Sequence, residues 1–263
     1  ILGYKFNAYS IIDFAKSSLE LGSSLTEQTH ILDVVIPEFT AYNKELQNGS
    51  LYADYMAEVT TKLGISTVNA TEYLAGYASM WKSLGIESNE QITEMSKNML
   101  QLTSDIASFR NLEYDDVYGS LKSIIFGGQT KTGLNTGVDI YVASLKTYLE
   151  ELNITVDDST SAMEKYCASV GKTSENLTAA EKSVIRLHKI MGDLDFMAGD
   201  FEKTFYTWAN QTRYLSEQFD NFKAIMGENL IMLFNNVLII INKVMGALNK
   251  LALAFNNFFK AIG

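Results

Sequence analysis

The sequence predicts an all-α protein: a compact module of short helices over residues 1–227, then a long seven-periodic apolar helix over residues 228–263. Three observations carry this. A single Pro in 263 residues, Met and Lys in plenty, and few β-branched alternations favour helix throughout. Stop and start signals of the helical kind recur along the first part. In the last part Asn recurs at 235, 242, 249 and 256, always seven apart, with almost everything between apolar.

Taken in order, residues 11–21 (IIDFAKSSLEL) place Ile11, Ile12, Ala15 and Leu19 at helical spacing, and Gly22 reads as a C-terminal stop. Ser24 with Glu27 is spaced as a capping box, in which the hydroxyl accepts from a free backbone N–H and the carboxylate reaches back. The helix it opens should end near Ile36, because Pro37 disfavours helical geometry in the residue before it. KLGIST (62–67) and SLGIES (83–88) each offer a left-handed Gly, Gly64 or Gly85, and a capping Ser, Ser66 or Ser88. Ser88 with Gln91 is a further box spacing. Asp115/Asp116 and Asp157/Asp158 suit helix starts, where carboxylates meet the positive end of the dipole.

The stretch FGGQTKTGLNTGVDI (126–140) reads as a long Gly-, Thr- and Asn-rich loop. Ser161/Glu164 and Thr178/Glu181 are again box spacings, the second opening a helix with Val184, Leu187, Ile190 and Met191 on one apolar face. From about 200 to 262 no strong breaker intervenes, which predicts one or two long helices, with a change of composition near 227.

Charge and side-chain inventory exclude several classes. Residues 228–263 hold Glu228 against Lys243, Lys250 and Lys260, a net +2, so residues 1–227 carry −12 of the total −10. Such an acidic body repels a phosphate backbone, and sequence-specific nucleic-acid binding is not expected. One Cys (Cys167) cannot form an intramolecular disulfide. GKTS (171–174) lacks the earlier Gly of a phosphate loop, since position 166 is Tyr. The Asn-x-Ser/Thr triplets at 48, 69, 153, 176 and 210 match glycosylation acceptors but read as chance and caps in an Asn- and Thr-rich chain. His30 and His188 have neither the spacing of a zinc pair nor a sequence link to Cys167. The expectation is no catalytic residue, no metal and no cofactor. The first residue is Ile rather than Met, so the chain reads as a segment of a longer polypeptide; no secretory apolar region opens it.

With Ile231 set as heptad position a, the a positions run Ile231, Leu238, Met245, Ala252, Phe259 and the d positions Phe234, Ile241, Leu248, Phe255, Ile262. The g positions Leu230, Val237, Val244, Leu251 and Phe258 are apolar too. Asn235, Asn242, Asn249 and Asn256 occupy e, and Asn236, Lys243, Lys250 and Asn257 occupy f. A repeat of seven holds one seam toward a partner and favours a left-handed supercoil. Met232, Leu233, Ile239, Ile240 and Leu253 at b and c widen the apolar surface beyond what one seam needs. Cover must come from a multi-helix bundle, a surrounding wall or lipid. Lys243 and Lys250 disfavour a simple single-pass span of ~20 residues. A ring of helices with the Asn/Lys strip around an inner aqueous path is the cheaper membrane form. Residues 230–262 as one helix would reach about 50 Å, enough for a hydrocarbon core of ~30 Å.

Several stretches together resemble the tail tape measure proteins of long-tailed bacteriophages and prophages. FAKSSLELGSSLTEQTHILDVVI (14–36) is similar to that family's helix of the form A…ELGSDLxEVQNVVD. YLAGYASMWKSLGIESNEQITEMSKNMLQLTSDIASFRNL (73–112) resembles its block with MLKSMGLS and ASFYN. LTAAEKSVIRLHKIM (177–191) and AGDFEKTFYTWANQTRYLSEQFDNFKAIMGENL (198–230) resemble MTEAEKxxLRYxxIM and QGDFARTxxSxANQxRxL. The order is kept over nearly the whole chain, with ASF, AEK, GDF and ANQ as anchors. The family's SGETEPLRRLGI loop is replaced by FGGQTKTGLNTGVDI, which keeps a Gly, a Thr and the GVDI echo.

The resemblance implies a non-enzymatic virion structural protein packed in the lumen of the tail tube. It would set tail length and leave ahead of the DNA, meeting tube, distal-tail or baseplate proteins and the host membrane. It would be made in the host cytoplasm and reach the host envelope at ejection. Three or six copies would suit tail symmetry, and apolar a, d and g positions are compatible with more than two strands. Two other classes stand beside it. One is a helical membrane-active toxin without an assembly role; the other, a cell-wall hydrolase, is disfavoured by the missing catalytic sets.

Overall fold

The structure, a computed structural model, describes residues 8–41, 49–126, 164, 167–168 and 171–262. Within these, the side chains of 8–12, 124, 174, 193, 234, 236–238, 240–241 and 254–262 are outside the description. Among the described residues every regular element is helical: α1 (Ala8–Val35), α2 (Pro37–Thr40), α3 (Leu51–Lys62), α4 (Thr67–Ser83), α5 (Asn89–Arg110), α6 (Tyr114–Phe126), α7 (Ala179–Asp193), α8 (Asp200–Lys203) and α9 (Trp208–Ile262), with short 3-10 turns at Ser174–Asn176 and Asp195–Met197. The all-α class read from composition therefore holds. The residues following Phe126 in the Gly-rich loop, Asp157/Asp158 and the Ser161/Glu164 box as a pair lie outside the described residues.

The chain divides into two compact units. One is Leu25–Asn221; the other joins the segment up to Ser24 with that from Phe222 onward. Helices α1 and α9 contribute to both.

In the larger unit α4 is the central helix. Ala70, Thr71, Tyr73, Leu74, Ala75, Tyr77, Ala78 and Trp81 are all buried, so nearly its whole circumference is covered. Helices α3, α5 and α6 pack against it, and the same core takes in Leu32, Ile36, Ile92, Met99, Leu100, Ile106, Val117, Leu121 and Ile125, with Leu187 and Ile190 of α7, which packs on α6. Full burial of each large aliphatic here contributes about 1.5–3 kcal/mol. The core tyrosines Tyr77 and Tyr73 keep their polar ends satisfied: Tyr77 Oη pairs with Thr103 Oγ1 at 2.9 Å, and Tyr73 donates to Asp115 at 2.6 Å. Tyr118 stacks on Tyr73 at 4.5 Å and meets Tyr77 edge-on at 5.0 Å.

The local signals act largely as read. Ser66 and Ser88 accept from the N–H groups of Asn69 and Gln91, satisfying a free donor of each first turn. Thr178 and Glu181 form the reciprocal box at the start of α7. Gly64 (φ +69) and Gly85 (φ +89) take the left-handed conformation after α3 and α4. Helix α1 ends at Val35, with Ile36 out of helical geometry (φ −138, ψ 64) ahead of Pro37 at the first position of α2. Asp115 and Asp116 sit in the first turn of α6.

One reading is overturned. Gly22 does not stop a helix and Ser24 does not start one, because α1 is continuous through both. The physical reason lies in the smaller unit, where Gly22 meets Gly227 of α9. A Cβ on Gly22 would stand 2.7 Å from Glu228 N, and one on Gly227 would stand 1.7 Å from the carbonyl oxygen of Ser18. Gly22 is there for close approach, and close approach does not require leaving the helix.

Candidate functional site

The candidate site is α9, 55 residues in a single helix, which at ~1.5 Å per residue reaches about 80 Å. The composition change near 227 falls inside it without a break. Continuing the heptad register upstream of Ile231 places Asn210, Glu217 and Ala224 at a and Arg213, Asp220 and Gly227 at d. All of these except Asp220 are buried.

In the larger unit the first turns of α9 are held by polar side chains. Glu217 carries its carboxylate to the start of α4: Ser66 N–H donates at 2.6 Å, and Asn69 Nδ2 lies 3.1 and 3.0 Å from the two oxygens. Asn221 Oδ1 accepts from Thr67 N–H at 2.6 Å. Two of the free amides at the start of α4 are thus satisfied by two residues about 150 positions away, and Glu217 brings its carboxylate to the end of the helix where a negative charge is favoured. Burial nevertheless pushes the Glu217 carboxyl above the ordinary carboxylate range, against the hydrogen bonds from Ser66 and Asn69 that lower it.

One turn earlier, Arg213 donates to Asn210 Oδ1 at 2.5 Å and to Asn111 Oδ1 at 3.1 Å, with its guanidinium 5.4 Å from the Tyr114 ring centre. Asn111 ends α5 in the left-handed conformation (φ 55), which Asn tolerates. Asn210 Nδ2 donates to Ser108 Oγ at 2.9 Å and to Thr204 Oγ1 at 2.8 Å. Ser108 in turn donates to Asp200 at 2.7 Å, and Asp200 N–H donates to Asp105 at 3.1 Å. Burial raises the Asp105 carboxyl, while hydrogen bonds from Gln101 and the backbone of 199–200 pull it down.

These contacts give the ASF, GDF and ANQ stretches a common location. ASF supplies Ser108, GDF supplies Asp200 and ANQ supplies Asn210, all in one hydrogen-bonded belt. The ring of Phe201 lies against Gly64, where a Cβ would meet it at 2.1–2.7 Å. AEK contributes separately through Glu181, which accepts from Thr178 N–H at 2.9 Å and from Lys172 at 2.6 Å; those bonds lower its carboxyl to about 2. Sequence reasoning missed Glu217, Asn221 and Arg213 as a seat. The available signal was the a/d register itself, which turns polar upstream of 224 while the helix goes on.

In the smaller unit α9 crosses α1 at Ser18, Gly22 and Gly227, and Phe14 meets Phe222 at 6.1 Å. Ser18 is fully buried there, and its Oγ has no partner among the described residues. Beyond the crossing, Ile231 is half-buried, and Asn235, Asn242, Lys243, Asn249 and Lys250 of the polar strip are exposed. Met245 and Leu248, at a and d, are exposed as well. Phe234, Leu238, Ile241, Phe255, Asn256, Phe259 and Ile262 belong to α9, but their side chains lie outside the described residues. Met232 (67 %), Leu233, Ile239, Val244, Leu251 and Leu253 (61 %) are exposed too, and from Asn242 to Leu253 no position of the helix is covered.

Among the residues whose side chains are described, no helix is long and apolar enough to cross a membrane. Phe234, Val237, Leu238, Ile240 and Ile241, the most apolar run of α9, are not in that set. Among the described residues no three His, Cys, Asp or Glu are placed to hold a metal ion. Cys167 is buried with Leu177 and Ile185. A groove of about 710 Å³ between α2, α3 and α5 is floored by Phe39 and rimmed by Glu38, Glu90 and Glu94. Its amine, Lys97, sits over the Phe39 and Tyr55 rings at 4.7 and 4.4 Å.

Comparison of the chain with protein-family models, with curated proteins and with solved structures finds no match.

Proposed function

We propose that this chain is a segment of a bacteriophage tail tape measure protein, a virion structural protein without enzymatic activity. In this reading the compact helical module sits within a longer ruler in the tail tube, and the seven-periodic end of α9 is its assembly element. Copies pack through Ile231, Phe234, Leu238, Ile241, Met245, Leu248 and the positions that repeat them, in threes or sixes. The bundle lines the tube, and on infection it leaves ahead of the DNA toward the host envelope.

The observation that carries the reading is the state of α9 from Asn242 to Leu253. Val244, Met245, Leu248, Leu251 and Leu253 stand at least half exposed, on several faces of one helix. So much contiguous apolar surface is what a soluble chain reserves for a partner. Strict seven-residue spacing of the Asn strip makes another helix of the same pitch the fitting partner. Supporting it, the ASF, GDF and ANQ stretches that resemble the family converge on one belt, which accounts for why such spaced motifs would travel together. A membrane-active toxin is the second reading, favoured by exposure at c and g positions that a two-stranded seam would leave bare.

The test is the mass of the purified chain by light scattering, with and without residues 228–263, and with and without lipid vesicles. A defined oligomer in the absence of lipid that requires 228–263 is the expected result. A monomer that assembles only on vesicles would overturn the in-tail bundle and support the toxin.

A further inference from the structure

A helix seated on a protein ordinarily turns its apolar stripe inward and its polar side to water. The first four turns of α9 do the reverse. Asn210, Arg213 and Glu217 are buried, while Trp208 (87 %), Leu215 (70 %) and Phe219 are exposed. The hydrophobic core of the larger unit is built from α1 to α7 and the turn at Met197, and among the described residues none of its members comes from α9. What holds residues 208–221 in place is the belt already described, to Ser66, Thr67, Asn69, Ser108 and Asn111. Rings meet the segment at Arg213, whose guanidinium lies 5.4 Å from the Tyr114 ring centre, and at its root, where Tyr214 lies 5.3 Å from Phe205.

From this seam we infer that residues 208–221 form a polar strap that undocks as a unit while the core beneath stays folded. Separation of an apolar interface costs free energy in proportion to the area wetted. Separation of a hydrogen-bonded seam exchanges protein partners for water on both sides, so its net cost is small. Arg213 and Glu217 regain full hydration, as do Ser108, Asn111 and the start of α4. The module loses no core side chain, so opening is a sub-global event of the kind that sits at the low-stability end of a fold. Undocking would free the first turns of α9 from the larger unit. The inference stands on the seam alone and does not depend on the tape measure reading.

Ser66 and Thr67 give a direct readout. Their N–H groups precede the hydrogen-bonded ladder of α4 and are donated to Glu217 and Asn221, so exchange at these amides reports the seam even if α9 remains helical. In amide hydrogen exchange on the full chain by NMR, both should exchange at least ~100-fold faster than Tyr77 and Leu100, through an opening almost insensitive to low urea. Exchange of all four at one rate with one urea slope would overturn the strap. A second variant tests the cause: Asn210→Leu with Ser108→Ala makes part of the seam apolar and should slow Ser66 and Thr67 about tenfold with Tyr77 unchanged. Unchanged or faster exchange in a folded variant would show that polarity is not what loosens the seam, overturning the inference. If that variant fails to fold, the wild-type comparison decides.

Discussion

Replacing Gly64 by Ala tests the joint between α3, α4 and α8 in a way that separates two costs. Gly64 has φ +69, and a Cβ there would approach three atoms of the Phe201 ring at 2.1, 2.4 and 2.7 Å. The ring cannot swing away freely, because Phe201 is buried and packs edge-on against Phe205 at 5.7 Å. The left-handed conformation costs an Ala about 1–2 kcal/mol. Forcing a methyl into a packed site adds about 1–3 kcal/mol. Reduced freedom of the unfolded chain returns about 0.4–1 kcal/mol, for a net loss of about 1–4.5 kcal/mol centred near 3. At roughly 2–4 °C per kcal/mol for a unit of this size, Tm should fall by the order of 10 °C.

The control is Gly85→Ala: φ is +89 but nothing lies within 4 Å of the added Cβ, so only the conformational cost remains, about 1 kcal/mol. Urea unfolding followed by circular dichroism on both variants gives the difference. Equal losses at the two positions would refute the claim that Gly64 is held by Phe201. A cycle with Phe201→Leu should recover about 1–2 kcal/mol of the Gly64→Ala cost, as expected for residues in contact.

Gly227→Ala should break the crossing of α1 and α9, because its Cβ would meet the Ser18 carbonyl oxygen at 1.7 Å and backbone cannot step aside. Limited proteolysis should then cut within residues 8–24, while Gly246→Ala on the open part of the same helix should be stabilising by about 0.5–1 kcal/mol. Resistance of 8–24 in Gly227→Ala would count against the crossing. Glu217 gives a pH prediction. Its carboxyl is raised in the folded chain, so the folded state holds the proton more tightly than the unfolded one. The group therefore adds most to stability below its ordinary value of 4.5, and that contribution is lost as pH rises through the raised value. Glu217→Gln should flatten this slope and leave stability at neutral pH equal or higher; an unchanged pH profile would show that the buried carboxyl is not the group titrating.

Much of the fold was legible because its signals are local. Ser66, Ser88 and the Thr178/Glu181 pair reach only three residues along the chain, so spacing in the sequence is already spacing in space. Pro37 ends α1 through a clash with its own predecessor, which no tertiary contact is needed to enforce. The heptad of Asn residues likewise defines a face on any helix that carries it.

Gly22 marks where that method ends. Gly after an apolar periodic run reads equally as a stop or as a place where two helices touch, and only the presence of Gly227 against it decides between them. The seat of α9 was hidden for a related reason. Asn210, Arg213, Glu217 and Asn221 look like the solvent side of an amphipathic helix, and Trp208, Leu215 and Phe219 like its buried side. Their partners Ser108, Asn111, Ser66 and Thr67 lie about 100 to 150 residues away, a pairing that no local spacing encodes. The sequence by itself determined which segments are helical and which α9 positions repeat every seven residues, since both follow from neighbours along the chain. The tertiary structure alone decided which side of α9 faces inward, because burial follows the hydrogen-bonding partners that folding delivers and not hydrophobicity alone.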